Sequence, residues 1–358
     1  MAWRPAAAGI GACLDVRRGA GIRAVLTLAV AVAVGAAAQD VSSPVALRLS
    51  TALGPAYTQG KAGEVWAALI RDRSGGRLAA RHFPGATSVQ RDAGREFAAL
   101  RDGSIDLAVG SALVWSAQVP ALNVLALPWL VPNDAALEGL LAGEVGRQLV
   151  SAIEAAGVVP LALASDGFTA LATHNVVRKP ADVEGLKIRV PSSPLAIDLV
   201  AALGAQASTM SAVDARAALA SGALDGQETS VAAFAATRLD TAGLTHLLLW
   251  EAHADALILA VNRARWDAWS ESDRALVRQA AQDAAREAGA IAPGAGDASA
   301  LAMLARQGVS ITRLTPAGKD AFRAAAHPVF ERWAALAGWD IVRAADTAGV
   351  APDATRKP

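Results

Sequence analysis

The sequence predicts an α/β protein of two domains, on two observations. From Val45 onward, short apolar runs alternate with longer stretches of helical spacing, the pattern of helices packed on mostly parallel sheets. The second is length: at roughly 100 to 200 residues per domain, the 358 residues are too many for one core once an N-terminal leader is set aside.

That leader is the first segment. Arg17, Arg18 and Arg23 precede an apolar run from Ala24 to Gly35, and Ala36, Ala37 and Ala38 follow it. This order is that of a secretory signal peptide over 1–38 with an A-x-A cleavage site. The run is well short of the roughly 20 residues a membrane-crossing helix needs. Sec and twin-arginine routes both remain open, because Arg17-Arg18 lacks the usual flanking residues. Cleavage after Ala38 leaves 320 residues, expected in the periplasm. Cys13 is the only cysteine and lies in the leader, so the mature chain has no disulfide, thiol nucleophile or thiolate metal site.

Expected strands follow in order: Ala46–Thr51, Leu78–Phe83, Ile105–Gly110, Val158–Ala164, Leu186–Val190, Ala256–Asn262 and Val309–Leu314. Helices fill the intervals. Val65, Trp66, Leu69 and Ile70 recur at helical spacing in Ala62–Arg73, and Gly75-Gly76 supplies the exit. Ser270-Glu-Ser-Asp273 has the form of a capping box ahead of an Ala-rich helix. Thr315-Pro316 opens another, whose Phe322, Ala326, Val329, Phe330 and Trp333 form an apolar stripe suited to core packing. From Asp346 to Pro358 no apolar period survives, and a frayed tail is expected.

The chain offers little catalytic chemistry. It has no GxSxG, HExxH, P-loop or paired CxxC, and its one G-x-G-x-x-A match, Gly19 to Ala24, lies in the leader and follows no strand. No cofactor and no metal are therefore expected. The five histidines stand singly. His253 with Asp255 is the nearest local pair, and Trp250-Glu251 just upstream either lines a cleft or is a buried indole beside a solvated carboxylate. The mature chain carries 29 basic and 32 acidic residues without a basic cluster, which makes nucleic acid an unsuitable partner.

One strand is more specific. Leu186, Ile188 and Val190 share one face and Lys187 and Arg189 the other, and Pro191 ends the run. Arg189 thus falls at the carboxyl end of a strand, where α/β folds place ligands. Its guanidinium can hold a carboxylate through two parallel hydrogen bonds. Periodicity alone serves a surface salt bridge and a ligand anchor equally.

From Leu47 to Trp333 the chain resembles the extracytoplasmic solute receptors of tripartite ATP-independent periplasmic (TRAP) transporters, of the dicarboxylate-binding type. Six pieces occur in family order: Ser74-Gly-Gly-Arg-Leu78, Phe83-Pro-Gly85, Leu100 to Ala108, Leu127-Pro-Trp129, Gly185 to Val190 and Leu224-Asp-Gly-Gln-Glu228. The resemblance implies a two-lobed periplasmic binding protein fold with a ligand cleft and hinge between the lobes. Lobe I is expected from 44–166 with 255–294, and lobe II from 167–254 with 295–345. It also implies that Arg189 forms the main salt bridge to a substrate carboxylate, with Glu228 either orienting it or serving as a purely structural partner.

Two departures matter. Many members carry a second ligand-binding arginine where this chain has Thr169, and an asparagine where it has Thr229. A hydroxyl contributes hydrogen bonding but no charge, which moves the expected ligand from a dicarboxylate toward a monocarboxylate: a keto, hydroxy or sugar acid. Tyr57, Gln59 and Trp115 are further candidates, because they follow strands in loops that should face the cleft. The expected role is a non-enzymatic receptor that delivers a small organic acid to the small and large membrane subunits of a TRAP permease. The alternative is a periplasmic sensor acting on a membrane receptor kinase.

Overall fold

The structure is a computed structural model, described here over residues 45–291 and 298–349; the expected signal peptide and the last residues of the expected tail lie outside that range. Eleven strands occur in chain order. They are β1 (Val45–Thr51), β2 (Leu78–Phe83), β3 (Leu107–Ser111), β4 (Val158–Phe168), β5 (Ala170–Thr173), β6 (Lys187–Arg189), β7 (Gln206–Ser208), β8 (Gly226–Thr229), β9 (His246–Leu249), β10 (Ala254–Asn262) and β11 (Ser310–Arg313). They form two sheets, a five-stranded one in the order β2-β1-β3-β10-β4 and a six-stranded one in the order β11-β9-β5-β8-β6-β7.

The expected α/β, two-lobed architecture is present, but the sheets are mixed. β10 runs antiparallel to both β3 and β4, and β5 antiparallel to both β8 and β9. The reason lies in the connections. β4 leaves the first sheet and, after Thr169 alone, becomes β5 of the second; β9 returns to the first as β10 after four residues. Two strands that cross in opposite senses side by side must pair antiparallel.

β10 shows how the first lobe is built. Leu257, Leu259 and Val261 face one layer, where the helices Thr58–Arg73 and Glu271–Ile291 pack and Trp66 Nε1 donates to the Val277 carbonyl at 3.2 Å. Ile258 and Ala260 face the other, with Phe97, Leu100, Trp115 and Ile153. Both faces are buried, so the strand reads as an unbroken apolar run. That second layer continues into the other lobe through the helix Pro316–Ala337, where Thr315 Oγ1 caps Gly318 N at 3.1 Å and Phe322, Ala326, Val329 and Trp333 are buried as the stripe required. Ser270 Oγ likewise caps Asp273 N at 3.1 Å at the start of Glu271–Ile291.

Four strands went unanticipated: β5, β7, β8 and β9. Each has only three or four residues, and β8, Gly-Gln-Glu-Thr, is polar throughout yet fully buried. The first residues of the expected tail, from Asp346, belong instead to the helix Trp339–Gly349, which is anchored by the buried Ile341, Val342 and Ala345. Among the described residues no helix is long and apolar enough to cross a membrane.

Candidate functional site

A cavity of about 560 Å³ opens between the two sheets, within the roughly 300–1,000 Å³ of small-molecule sites. Its lining combines the strand ends of β1 and β3 in one lobe with those of β6 and β8 in the other, together with Asp166 to Thr169 at the β4–β5 crossover and Asp255 of β10.

Arg189 is the last residue of β6 and lines this cavity. Its Nε donates to the Met210 carbonyl at 3.2 Å, while its two terminal nitrogens have no hydrogen-bond partner among the described residues. Burial pulls the guanidinium down from its ordinary value, opposed by the facing Tyr57 and Glu228. It remains a cation, since arginine does not deprotonate in proteins. Two other arginines also line the space. Arg216 is committed to the Thr237 carbonyl and Thr241 Oγ1, each at 2.7 Å, and Arg91 is exposed. Burial raises the Tyr57 phenol, and the nearby Arg189 charge draws it back.

Glu228, on β8, is buried at the cavity wall and does not ion-pair with Arg189. Its Oε1 meets His253 Nε2 at 3.1 Å, with both side chains fully buried, and its Oε2 has no partner. Burial depresses the His253 imidazole, but attraction and hydrogen bonding to Glu228 outweigh this and leave it raised. His253 therefore serves Glu228 from behind and is not part of the cavity lining.

Two further carboxyls face the space. Asp255 is fixed by Ser111 Oγ at 2.5 Å, Leu113 N at 3.0 Å and Ala256 N at 2.8 Å. Asp166 owes its position to a β-bulge: on the β4–β10 ladder Gly167 pairs with Asp255 and Ser165 with Ala256, so Asp166 is the extra residue. Gly167 takes φ 78°, which a side chain would resist. Burial first, then repulsion from Asp255, pushes the Asp166 carboxyl up to about 7.

Of the residues expected at the site, Arg189, Thr169, Thr229, Glu228, Tyr57 and Gln59 line one cavity. Thr169 and Thr229 stand where many of the resembled receptors carry an arginine and an asparagine, and their hydroxyls donate to the His253 and Ser230 carbonyls, each at 3.3 Å. Gln59 is turned inward, accepting from Leu53 N at 2.9 Å. Trp115 and Trp250 do not line it. Trp115 has no exposed surface, stacks edge-on against Phe97 with centroids 5.2 Å apart, and lies directly over Gly110. Trp250 is 1% exposed and packs edge-on against Phe322. Trp115 ends the one-turn helix Ala112–Trp115 and Trp250 lies in the connection from β9 to β10, and both indoles fold into the layer beneath, where their apolar area is removed from water. The sequence reading missed Asp166 and Arg216, and it placed Asp255 with His253, whereas Asp255 pairs with Ser111. Asp166 is adjacent to Gly167, and that Asp-Gly step was the available sign of a bulge. Among the described residues no group of three or more histidines and carboxylates is placed to hold a metal ion.

A two-lobed α/β body with crossover strands lining an interlobe cavity, presenting one uncommitted arginine edge, defines a periplasmic-type binding protein. The chain belongs to the bacterial extracellular solute-binding proteins of family 7, whose model matches residues 49–336, and it is a TRAP-type solute receptor. A structure of a TRAP periplasmic solute-binding protein from Ralstonia eutropha H16, with (S)-2-acetolactate bound, is 43% identical with a TM-score of 0.81, over 85% of this chain and 98% of that one. Another, from Chromohalobacter salexigens with d-glucuronate bound, is 26% identical with a TM-score of 0.76, over 84% and 99%. A solute-binding protein from the same species is 29% identical over 284 residues, 78% of this chain and 82% of its own length.

Proposed function

We propose that this receptor, exported to the periplasm, captures a small monocarboxylate between its lobes, holds the carboxylate on the free edge of Arg189, and delivers it unchanged to the small and large subunits of a TRAP permease. The observation that carries this reading is the guanidinium itself: Nε is committed to Met210, and both terminal nitrogens stay available at the cavity. A planar fork fixed at one point loses little freedom on receiving a carboxylate. Thr169 and Thr229 bring no charge to the cavity and spend their hydroxyl protons on the His253 and Ser230 carbonyls, each at 3.3 Å, and the relative of 43% identity holds acetolactate, an acid with one carboxylate. The solved structures it resembles hold their acids as solute-binding proteins, which supports binding without turnover.

Titration calorimetry with (S)-2-acetolactate, pyruvate and d-glucuronate tests this. Arg189→Ala is expected to weaken the tightest of these by about 2–5 kcal/mol, the usual loss when one partner of a buried charged pair is truncated. Unchanged affinity in the folded variant removes Arg189 from the site. Loss of uptake of that acid in cells lacking the receptor separates delivery from sensing.

A further inference from the structure

The cavity has an acidic side that the carboxylate anchor does not use. Asp166 and Asp255 sit on the two crossover strands, and Asp255 is saturated by Ser111, Leu113 and Ala256. Asp166 is different: among the described residues no geometrically sound hydrogen bond reaches its carboxyl, although the Thr58 hydroxyl lies close by. Its projection into the cavity requires an interrupted ladder and a left-handed Gly167. Bulges of this kind re-aim a side chain, and they are over-represented beside active sites. A second unpartnered acceptor, Glu228 Oε2, is buried within the wall of the same cavity. A ligand that offers only carboxylates brings Asp166 no donor.

We infer that Asp166 is a specificity-determining residue which takes a hydroxyl or keto oxygen of the ligand and excludes a second carboxylate, so that the receptor selects oxygenated monocarboxylates. This rests on the reading of Arg189 as carboxylate anchor. An ionised Asp166 accepts from a ligand hydroxyl, and a protonated one donates to a ligand carbonyl; both forms suit a hydroxy-keto acid. A second carboxylate beside it meets like charge when Asp166 is ionised. Exclusion of diacids should therefore weaken as pH falls below the value of about 7 at which Asp166 titrates. The other charged groups around Asp166 are Asp255 on β10, Arg189, Arg216, Arg91 and Glu228 around the ligand cavity, and Asp134, Glu138 and Arg286 around a second cavity of about 590 Å³ behind it.

The test compares two matched acids by titration calorimetry at pH 6 and pH 8. (S)-2-acetolactate carries an acetyl group where (S)-citramalate, with the same number of carbons, carries a carboxymethyl group. The wild type is expected to favour acetolactate by about tenfold or more at pH 8, roughly one charge-assisted hydrogen bond's worth, and by less at pH 6. Asp166→Asn, of the same shape, is expected to keep acetolactate binding within a few-fold and to bring citramalate closer, with the pH dependence flattened. Isovalerate and 2-hydroxyisovalerate form a second pair, in which the hydroxyl should add about tenfold in the wild type. A wild type that prefers citramalate, or an Asp166→Asn protein with unchanged discrimination at both pH values, overturns the inference and leaves Arg189 as anchor. Failure of the wild type to bind any of these acids overturns the monocarboxylate reading itself.

Discussion

Glu96 gives the sharpest test of the electrostatics beneath the site. It opens the helix Glu96–Asp102, is 1% exposed, and accepts from Ser50 Oγ at 2.7 Å. Burial raises its carboxyl from 4.5 to about 7, against the opposing hydrogen bond of Ser50 and the nearby Trp115 indole. The unfolded chain releases this proton near the ordinary value, while the folded chain keeps it until about neutrality. Between those two values the folded state binds more protons, so stability falls as pH rises through the window. At about 1.4 kcal/mol per pKa unit, the fully ionised side chain costs about 3 kcal/mol above neutral pH. Glu96→Gln removes that charge and keeps an acceptor for Ser50. Urea denaturation from pH 5 to pH 8 should find the variant about 2–3 kcal/mol more stable than wild type at pH 8 and close to it at pH 5. Asp166 has the same sign and leaves a residual slope. A variant whose stability declines with pH as steeply as the wild type would refute a protonated Glu96.

Two further substitutions probe what supports the cavity. His253→Ala leaves Glu228 fully buried without its hydrogen-bond partner and should cost about 3–5 kcal/mol, whereas replacing both residues by apolar ones should cost less; equal losses in urea denaturation would show that the pair is not coupled. Gly110→Ala places a Cβ 2.0 Å from Trp115 Cε2 and should lower stability by about 2 kcal/mol or more. An unchanged denaturation midpoint would mean that the indole is not seated on that glycine.

The long elements and the principal anchor were legible in the sequence because each rests on local chemistry. β10 is an apolar run, Thr315-Pro316 is a cap followed by a proline, and Lys187–Arg189 alternates in and out. The short strands of the second sheet were not. β8 is polar, and nothing within Gly226–Thr229 favours extension; it exists because β5 and β6 supply ladders on either side and His253 satisfies Glu228. Trp115 and Trp250 were misplaced for a related reason: their positions after strands are correct, but the direction of a side chain at a strand end depends on the layer below it. Asp166 escaped notice because a bulge is defined by the partner strand, which lies about ninety residues further along the chain.

The two crossovers are tied together at one atom. The His253 carbonyl accepts from Thr169 N at 3.1 Å and from Thr169 Oγ1 at 3.3 Å. A swing of one lobe against the other about that knot would displace each group in proportion to its distance from it. Asp166 and Asp255, only a few residues from the knot, would keep their spacing, whereas rim groups such as Val213, 71% exposed, would sweep through the longest arc. A receptor built this way would read the chemical identity of a solute with parts that hardly travel and retain it with parts that do.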